Sequence, residues 1–455
     1  MKLIERRGFL KSTAIVAGGV SLAPSYIPNM ISDSPNERIN VAVIGIAGER
    51  ERVRGIIRGR GIIHIRNFSE IPNVRVKTIC DVDENLFPQN EKIVEELYGS
   101  KPGAEVDFRK VLEDKDIDIV SLATPDHWHA LQTVWACQAG KDVYVEKPVS
   151  HNVAEGRKMV EAAEKYNRIV QSGICYRSSK SVKEGMKLIH EGILGKPYMA
   201  RGITYRYRVP IGVFPNEPVP EGVNWDMFLG PAPYRPYNVN RFLYHWHWFW
   251  DTGTGEIGNN GIYRMDTARW ALNKNTHPEK VICKGGLFGR DPEEQETPNI
   301  MDVTYVYKDG TIIQNEMRGL PSNPEGMPQD SGVRAFIYGD EGFMSISSNG
   351  FRTYFGRREE PGPAKSDDDL PDEERSNGWK NLVECVKSGS DANLDNPMIE
   401  GHMSASLCHL GNISYRVGQK ELSFNSEKEK FVDNPEADAY LSRDFRAPYS
   451  MPDNV

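Results

Sequence analysis

Ile39-Asn40-Val41-Ala42-Val43-Ile44-Gly45 is a β-branched run that stops on glycine. A parallel strand covered on both faces reads this way, with no polar alternation. A glycine-rich turn opening a helix is expected next. The chain instead continues Ile46-Ala47-Gly48, then a charged stretch, then Arg58-Gly59-Arg60-Gly61-Ile62-Ile63-His64. Joining Gly45-Ile46 directly to Arg58 would give a compact phosphate-binding turn on Gly45, Gly59 and Gly61. Residues 47–57 therefore read as an insertion of about 11 residues in that turn. The alternative is that Gly48 is the working glycine and the Arg-rich stretch extends the helix.

A second strand, Val74–Cys80, ends at Asp81. An acidic group there accepts hydrogen bonds from both ribose hydroxyls of an adenosine and repels a 2′-phosphate, which favours NAD over NADP. A third strand, Ile117–Ala123, leads into Thr124-Pro125-Asp126-His127-Trp128-His129. A helix over 130–139 stops at Gly140, and a fourth strand, Asp142–Val145, delivers Glu146-Lys147-Pro148. Strands alternating with helices predict a doubly wound parallel sheet with ligands at the carboxyl ends of its strands.

Downstream the pattern changes. Helices are expected over 153–166, 181–191, 379–387 and 403–415. Between them, strands at 281–287, 301–307, 311–317, 334–338, 343–347 and 351–355 predict an open, mainly antiparallel sheet of about five to seven strands. Asp309-Gly310 and Glu341-Gly342 mark hairpins. Residues 359–375 read as an acidic surface loop. The fold class is α/β: an N-terminal Rossmann sheet over 37–150 and a C-terminal α+β domain over 151–455.

Composition sets the outer limits. The 455 residues carry 56 Lys and Arg against 64 Asp and Glu, a net charge of −8, which argues against a nucleic-acid binder. Mean hydropathy of −0.54 excludes a multi-span membrane protein. The six cysteines form no CxxC pair and read as buried free thiols. Arg6-Arg7-Gly8-Phe9-Leu10-Lys11, followed by a short apolar stretch from Thr13 to Ala23, resembles a twin-arginine export signal, with Glu5 in place of the usual Ser or Thr. The apolar run is too short to span a bilayer. Residues 1–36 are thus expected to be signal and linker, and the mature protein periplasmic or otherwise exported.

Glu146-Lys147-Pro148 after a strand, preceded by Thr124-Pro125 and a glycine-rich first turn, resembles the glucose-fructose oxidoreductase / inositol dehydrogenase / MocA (Gfo/Idh/MocA) family over about 38–450. The ending Gly401-His402-Met403-Ser404 … His409-Leu410-Gly411-Asn412 is similar to exported bacterial members. The resemblance implies an NAD-dependent oxidoreductase acting on a sugar or glycoside; scarcity of free NAD outside the cytoplasm favours a tightly bound cofactor, and an exposed face of the second sheet favours a homo-oligomer. It places Lys147 beside the nicotinamide and the reacting carbinol. In the second domain the family's Asp and His, four residues apart, fall on Asn259 and Tyr263. Tyr263 is then the acid/base partner of Lys147, its proton made labile by the nearby Lys. The resemblance also puts Thr124, Pro125, His127, His129, Glu146 and Arg177 near the cofactor.

Two further groups invite a role. Asp126, His127 and His129 form only a weak metal-ligand set, so no metal is expected. His245-Trp246-His247-Trp248-Phe249-Trp250 combines aromatic platforms with polar groups, as a carbohydrate subsite does, and His245, His247 and Trp248 are the candidate substrate residues. As a strand, this stretch would put both histidines on one face and the tryptophans on the other. Domain-interface packing is the competing role for these rings. The same parts also fit an NAD-dependent glycosidase that works by transient oxidation, elimination and hydration. A non-catalytic sugar or nucleotide sensor is the third possibility, left open by the altered Asn259/Tyr263 pair.

Overall fold

The computed structural model describes residues 38–47, 49–52, 55–322, 334–371, 375 and 377–455. Residues 1–36, expected to form a signal and linker, lie outside them. Strands β1 (Ile39–Ile44), β4 (Val74–Cys80), β5 (Gly103–Glu105), β6 (Ile119–Leu122), β7 (Asp142–Val145) and β8 (Val170–Ser172) form one parallel sheet in the order β5-β4-β1-β6-β7-β8. The order turns back between β1 and β6, the switch point at which doubly wound sheets open a crevice. β6 and β7 are buried along their whole length, as central strands of a parallel sheet covered on both faces are. The sixth strand, β8, lies past residue 150, in the stretch assigned above to the second domain.

The insertion is a hairpin. β2 (Glu49–Arg52) pairs antiparallel with β3 (Gly55–Arg58) and with nothing else. Helix α1 (Arg60–Ser69) starts immediately after it. The parallel sheet is wound by α2 (Phe87–Tyr98), α3 (Phe108–Glu113), α4 (Asp126–Gln138) and α5 (Val153–Lys165). Asn152 caps α5 by accepting from the Glu155 N–H at 2.9 Å.

After α6 (Lys180–His190), the second sheet is larger than expected. It has ten strands, in the order β16-β15-β14-β13-β9-β12-β11-β10-β17-β18. These are β9 (Pro197–Tyr205), β10 (Lys280–Gly286), β11 (Ile300–Val306), β12 (Ile312–Arg318), β13 (Arg334–Gly339), β14 (Gly342–Ile346), β15 (Gly350–Phe355), β16 (Glu360–Ser366), β17 (Leu422–Asn425) and β18 (Lys430–Phe431). All pairs are antiparallel except β9 with β12. β16 falls where an acidic loop was expected. Its Glu-Pro-Gly-Pro-Ala-Lys-Ser composition hides it, and it survives because it is an edge strand, where a missing N–H costs no ladder bond.

Helices α7 (Trp225–Leu229) and α8 (Ile262–Ala271) line the junction between the sheets. Late in the chain, α9 (Gly378–Ser388) returns to the first sheet. Trp379 stacks on Tyr144 at 5.0 Å, and Leu382 and Val383 share a core with Val41, Val43 and Ile65. α10 (Met398–Arg416) is buried along most of its length between the domains' helices. Five of the six cysteines are buried free thiols, while Cys175 is exposed. No helix of the described residues is long and apolar enough to cross a membrane.

Candidate functional site

The glycines of the first turn close on one another. Gly45 has φ +81°, and a Cβ on it would lie 2.8 Å from the Ala123 carbonyl. A Cβ on Gly61 would lie 2.3 Å from the Gly45 oxygen, and one on Gly59 only 2.1 Å from the Ala47 Cβ. The hairpin therefore leaves and re-enters at one point, and Gly45, Gly59 and Gly61 form a single cradle at the start of α1, where backbone N–H groups favour a phosphate. Asp81 stands at the end of β4. Its carboxylate accepts from the N–H of Ala47 at 3.2 Å and of Asp83 at 3.1 Å.

A cavity of about 130 Å³ runs from Gly45 and Asp81 past Thr124 and Pro125, roofed by Phe242 and Trp246. The Asp81 carboxylate at one end and the apolar walls fit the ribose and base of an adenosine.

A second cavity, of about 430 Å³, adjoins it at Ala47, Thr124 and Trp246 and holds the reactive groups. Lys147 enters from the end of β7. Its Nζ donates to the Asn259 carbonyl at 2.7 Å and to Asn259 Oδ1 at 3.0 Å. Asn259 sits in a π-helical turn, Ile257–Gly261, that runs into α8, and its Nδ2 donates to the Tyr244 hydroxyl at 3.1 Å. Such widened turns bring side chains into sites that a regular helix would bury. Burial lowers the Lys147 pKa, with Glu146 opposing.

Glu146 is buried and answered by cations. Arg60 Nε and Nη2 donate to its Oε1 at 2.9 and 2.7 Å, and His64 bridges Glu146 Oε1 at 3.1 Å to Ser121 Oγ at 2.9 Å. Burial opposes ionisation of Glu146, but Arg60 and His64 hold its carboxyl well below the usual range. Arg60 and His64 escaped the sequence reading; the only signal was their place in the first turn of the helix after the glycines. Asp126 is a further wall residue. Its Oδ2 accepts from Thr254 Oγ1 at 2.7 Å, and burial pushes its carboxyl up to about 7.

Several expectations are corrected. Lys147 Nζ lies 5.5 Å from the centroid of the Tyr263 ring and so meets its face. Burial pushes the Tyr263 hydroxyl well up, and the ring stacks on Tyr176 at 5.1 Å. Tyr263 thus lines the reaction cavity with its ring towards Lys147, and the short Lys147–phenol pairing expected there is replaced by a contact with the ring face. Arg177 does not reach the cavity. It is buried, with Nε donating to both Asp266 oxygens at 3.0 Å and Nη2 to Glu400 at 3.0 Å. His127 is also withdrawn: its ring nitrogens face the Thr252 carbonyl at 3.2 Å and the Phe228 carbonyl at 2.9 Å. His129 does line the reaction cavity, but its nitrogens face the carbonyls of Pro148 and Thr124, each at 2.7 Å. It positions the two straps that flank Lys147.

The aromatic stretch is not a strand. His245–Trp248 form a 3₁₀ turn, so residues two apart diverge. His247 faces the reaction cavity, while His245 and Trp248 line a neighbouring one. Tyr244 and Arg206 also reach the reaction cavity and were not singled out from sequence. One set of metal-type ligands lies elsewhere among the described residues: ligand atoms of His277, His402 and Glu429 fall within 4.8 Å of one another. Arg157 donates to both Glu429 oxygens, at 2.7 and 3.1 Å, which neutralises the carboxylate and makes the cluster an ion-paired node.

A glycine cradle with an acidic residue at the end of its second strand, opening onto a lysine between two domains, has the layout of a dinucleotide-binding fold facing a second domain. The family model described as oxidoreductase family, NAD-binding Rossmann fold, matches residues 39–174, and that described as oxidoreductase family, C-terminal alpha/beta domain, matches 178–451. The chain belongs to this Gfo/Idh/MocA oxidoreductase family. It is 30% identical over 207 residues to glycosyl hydrolase family 109 protein 1 of Shewanella sp. (strain ANA-3), covering 43% of this chain and 45% of that protein. The chain thus spans about half the length of the curated relatives it matches. In fold it is similar to the aldose-aldose oxidoreductase of Caulobacter crescentus, solved with glycerol (TM-score 0.60, 20% identity, 85% of this chain and 100% of that one). It is also similar to the WlbA dehydrogenase of Chromobactrium violaceum, solved with NADH and UDP-GlcNAcA (TM-score 0.62, 19% identity, 88% and 99%).

Proposed function

We propose that this protein oxidises a carbinol of a sugar or glycoside, with Lys147 as the proton acceptor. The observation that carries the reading is the fixation of Lys147 Nζ by two bonds to Asn259. A neutral amine has two N–H bonds and one lone pair. With both N–H bonds spent on Asn259, the lone pair is left to take the carbinol proton. Burial favours that neutral form. NAD, when bound, supplies the hydride acceptor. The glycine cradle, Asp81, Thr124 and Pro125 would hold it, and the Tyr263 and Tyr244 rings would confine the sugar and exclude water.

A second reading is supported by the glycosyl hydrolase name of a relative: the same carbinol is oxidised transiently, the neighbouring C–H proton is lost as the aglycone leaves, water adds, and the hydride returns. Net hydrolysis then consumes no cofactor. Product mass decides. A product two mass units lighter than the glycoside, with reduced cofactor accumulating, establishes net oxidation. Free sugar plus aglycone without reduced cofactor establishes the second reading. No change with any carbohydrate overturns both and leaves a sensor.

The Arg6-Arg7 segment supports export by the twin-arginine route, which carries folded, cofactor-loaded proteins. Loss of the mature protein from the exported fraction on replacing both arginines by lysine is the expected result. A homo-oligomer remains the proposed assembly, and sedimentation of the mature protein tests it.

A further inference from the structure

A third cavity, of about 510 Å³, opens beside the reaction cavity and shares two wall residues with it, Leu243 and Tyr244. Resting on the carbohydrate reading above, we propose that it is a second glycosyl subsite, holding a neutral sugar ring joined to the one that reacts at Lys147.

Four observations converge. The partition is one side chain thick and is fixed from both sides: the Tyr244 hydroxyl accepts from Asn259 on the reaction side, and its ring lies 5.8 Å from the Arg208 guanidinium on the other. Leu243 carries φ +53°, a conformation costly for a branched side chain, at the one place where all three cavities meet. Strain held at a junction of cavities marks a position kept for ligand contact.

The lining is that of a sugar site. Trp248 and Tyr244 line it together with Asn240 and His245, whose side chains are tied to each other at 3.2 Å. The rim is apolar and exposed: Tyr207, Val209 and Val213 are 56%, 51% and 56% accessible, three large apolar side chains within seven residues of one loop.

Charge narrows the ligand class. Arg208 is the single charged side chain lining the cavity among the described residues, and Glu256 neutralises it through bonds of 2.7 to 3.0 Å. Behind the wall, Glu294 accepts from Asn240 Nδ2 at 2.7 Å, and Glu293 accepts from the Ile211 N–H at 3.1 Å. A diphosphate would meet no free cation in the lining, with two carboxylates behind the wall. The cavity therefore selects an uncharged glycosyl unit over a nucleotide sugar.

The test uses the full chain with NAD and matched pairs of substrates, a methyl glycoside and the disaccharide bearing the same reactive sugar, with nucleotide sugars alongside. The wild-type protein is expected to favour the disaccharide in kcat/KM by about tenfold or more, mostly through KM. Tyr207→Ala and His245→Ala, changes at a rim and a half-buried position that the fold tolerates, should each cut that ratio by about threefold or more. Equal use of methyl glycoside and disaccharide overturns the subsite and leaves the oxidoreductase reading intact. So does a ratio that survives both substitutions. A preference for the nucleotide sugar overturns the neutral class. Turnover of no carbohydrate overturns the carbohydrate reading and the subsite together.

Discussion

The tripeptide His-Trp-His occurs twice, at 127–129 and at 245–247, and the two copies do opposite work. The first opens α4 directly behind β6. Its side chains are almost wholly buried and fastened to backbone of both domains: His127 to Phe228 and Thr252, Trp128 Nε1 to the Met227 and Phe228 carbonyls at 3.1 Å, His129 to Pro148 and Thr124. The second copy occupies a 3₁₀ turn between cavities. There His247 faces the reaction cavity, His245 the neighbouring one, and Trp246 stacks on His247 at 3.6 Å. Identical residues at identical spacing become joinery in one place and lining in the other. The element that carries them, and the carbonyls within reach, decide which.

The contrast can be broken most sharply at the residue both copies surround. Lys147→Met should lower turnover about 10³-fold while bound cofactor, read by fluorescence of added NADH, is retained. If turnover survives, neither copy borders a reaction site. At the first copy, His127→Ala removes a buried N–H···O=C hydrogen bond and the ring packing that join the domains. Unfolding free energy should fall by about 2–4 kcal/mol in a denaturant titration, with kcat of the folded fraction little changed. A normal denaturation midpoint would erase the distinction between joinery and lining.

Asp126, immediately before the first copy, gives the contrast a pH signature. Its folded pKa of about 7 lies above its ordinary 3.8, so the folded state holds the proton longer than the unfolded one. The stability this gives is complete below about pH 4 and drains away as pH rises to about 7, at about 1 kcal/mol per pH unit. Asp126→Asn should flatten that slope in melting curves taken across this range. At the second copy the effect is smaller and of another kind. His247→Ala should raise KM about tenfold, or ~1.4 kcal/mol, with the melting temperature nearly unchanged.

Much of this was legible before any coordinates. The parallel sheet shows in the unbroken run Val41–Ile44, because a strand covered on both faces leaves no polar alternation. Lys147 and Asn259, each singled out through the resemblance, lie 112 residues apart and hydrogen-bond to each other. Other features had no local trace. The bond from Arg60 to Glu146 spans 86 residues, and those that hold His127 reach carbonyls 101 and 125 residues away. Backbone carbonyls are the same at every position, so no pattern of side chains reveals which histidine will find two. β16 is obscured for a different reason: edge strands tolerate proline and glycine, and so lose the signature by which strands are read.

The hairpin between β1 and α1 has a practical consequence. Its stem is pinched shut where Ala47 meets Gly59, so whatever is attached at its far end changes the closing entropy of the turn very little. That end is a natural grafting point for a reporter peptide. A reporter inserted there should leave dinucleotide affinity nearly unchanged, because the cradle closes on Ala47 and Gly59 rather than on the residues beyond them.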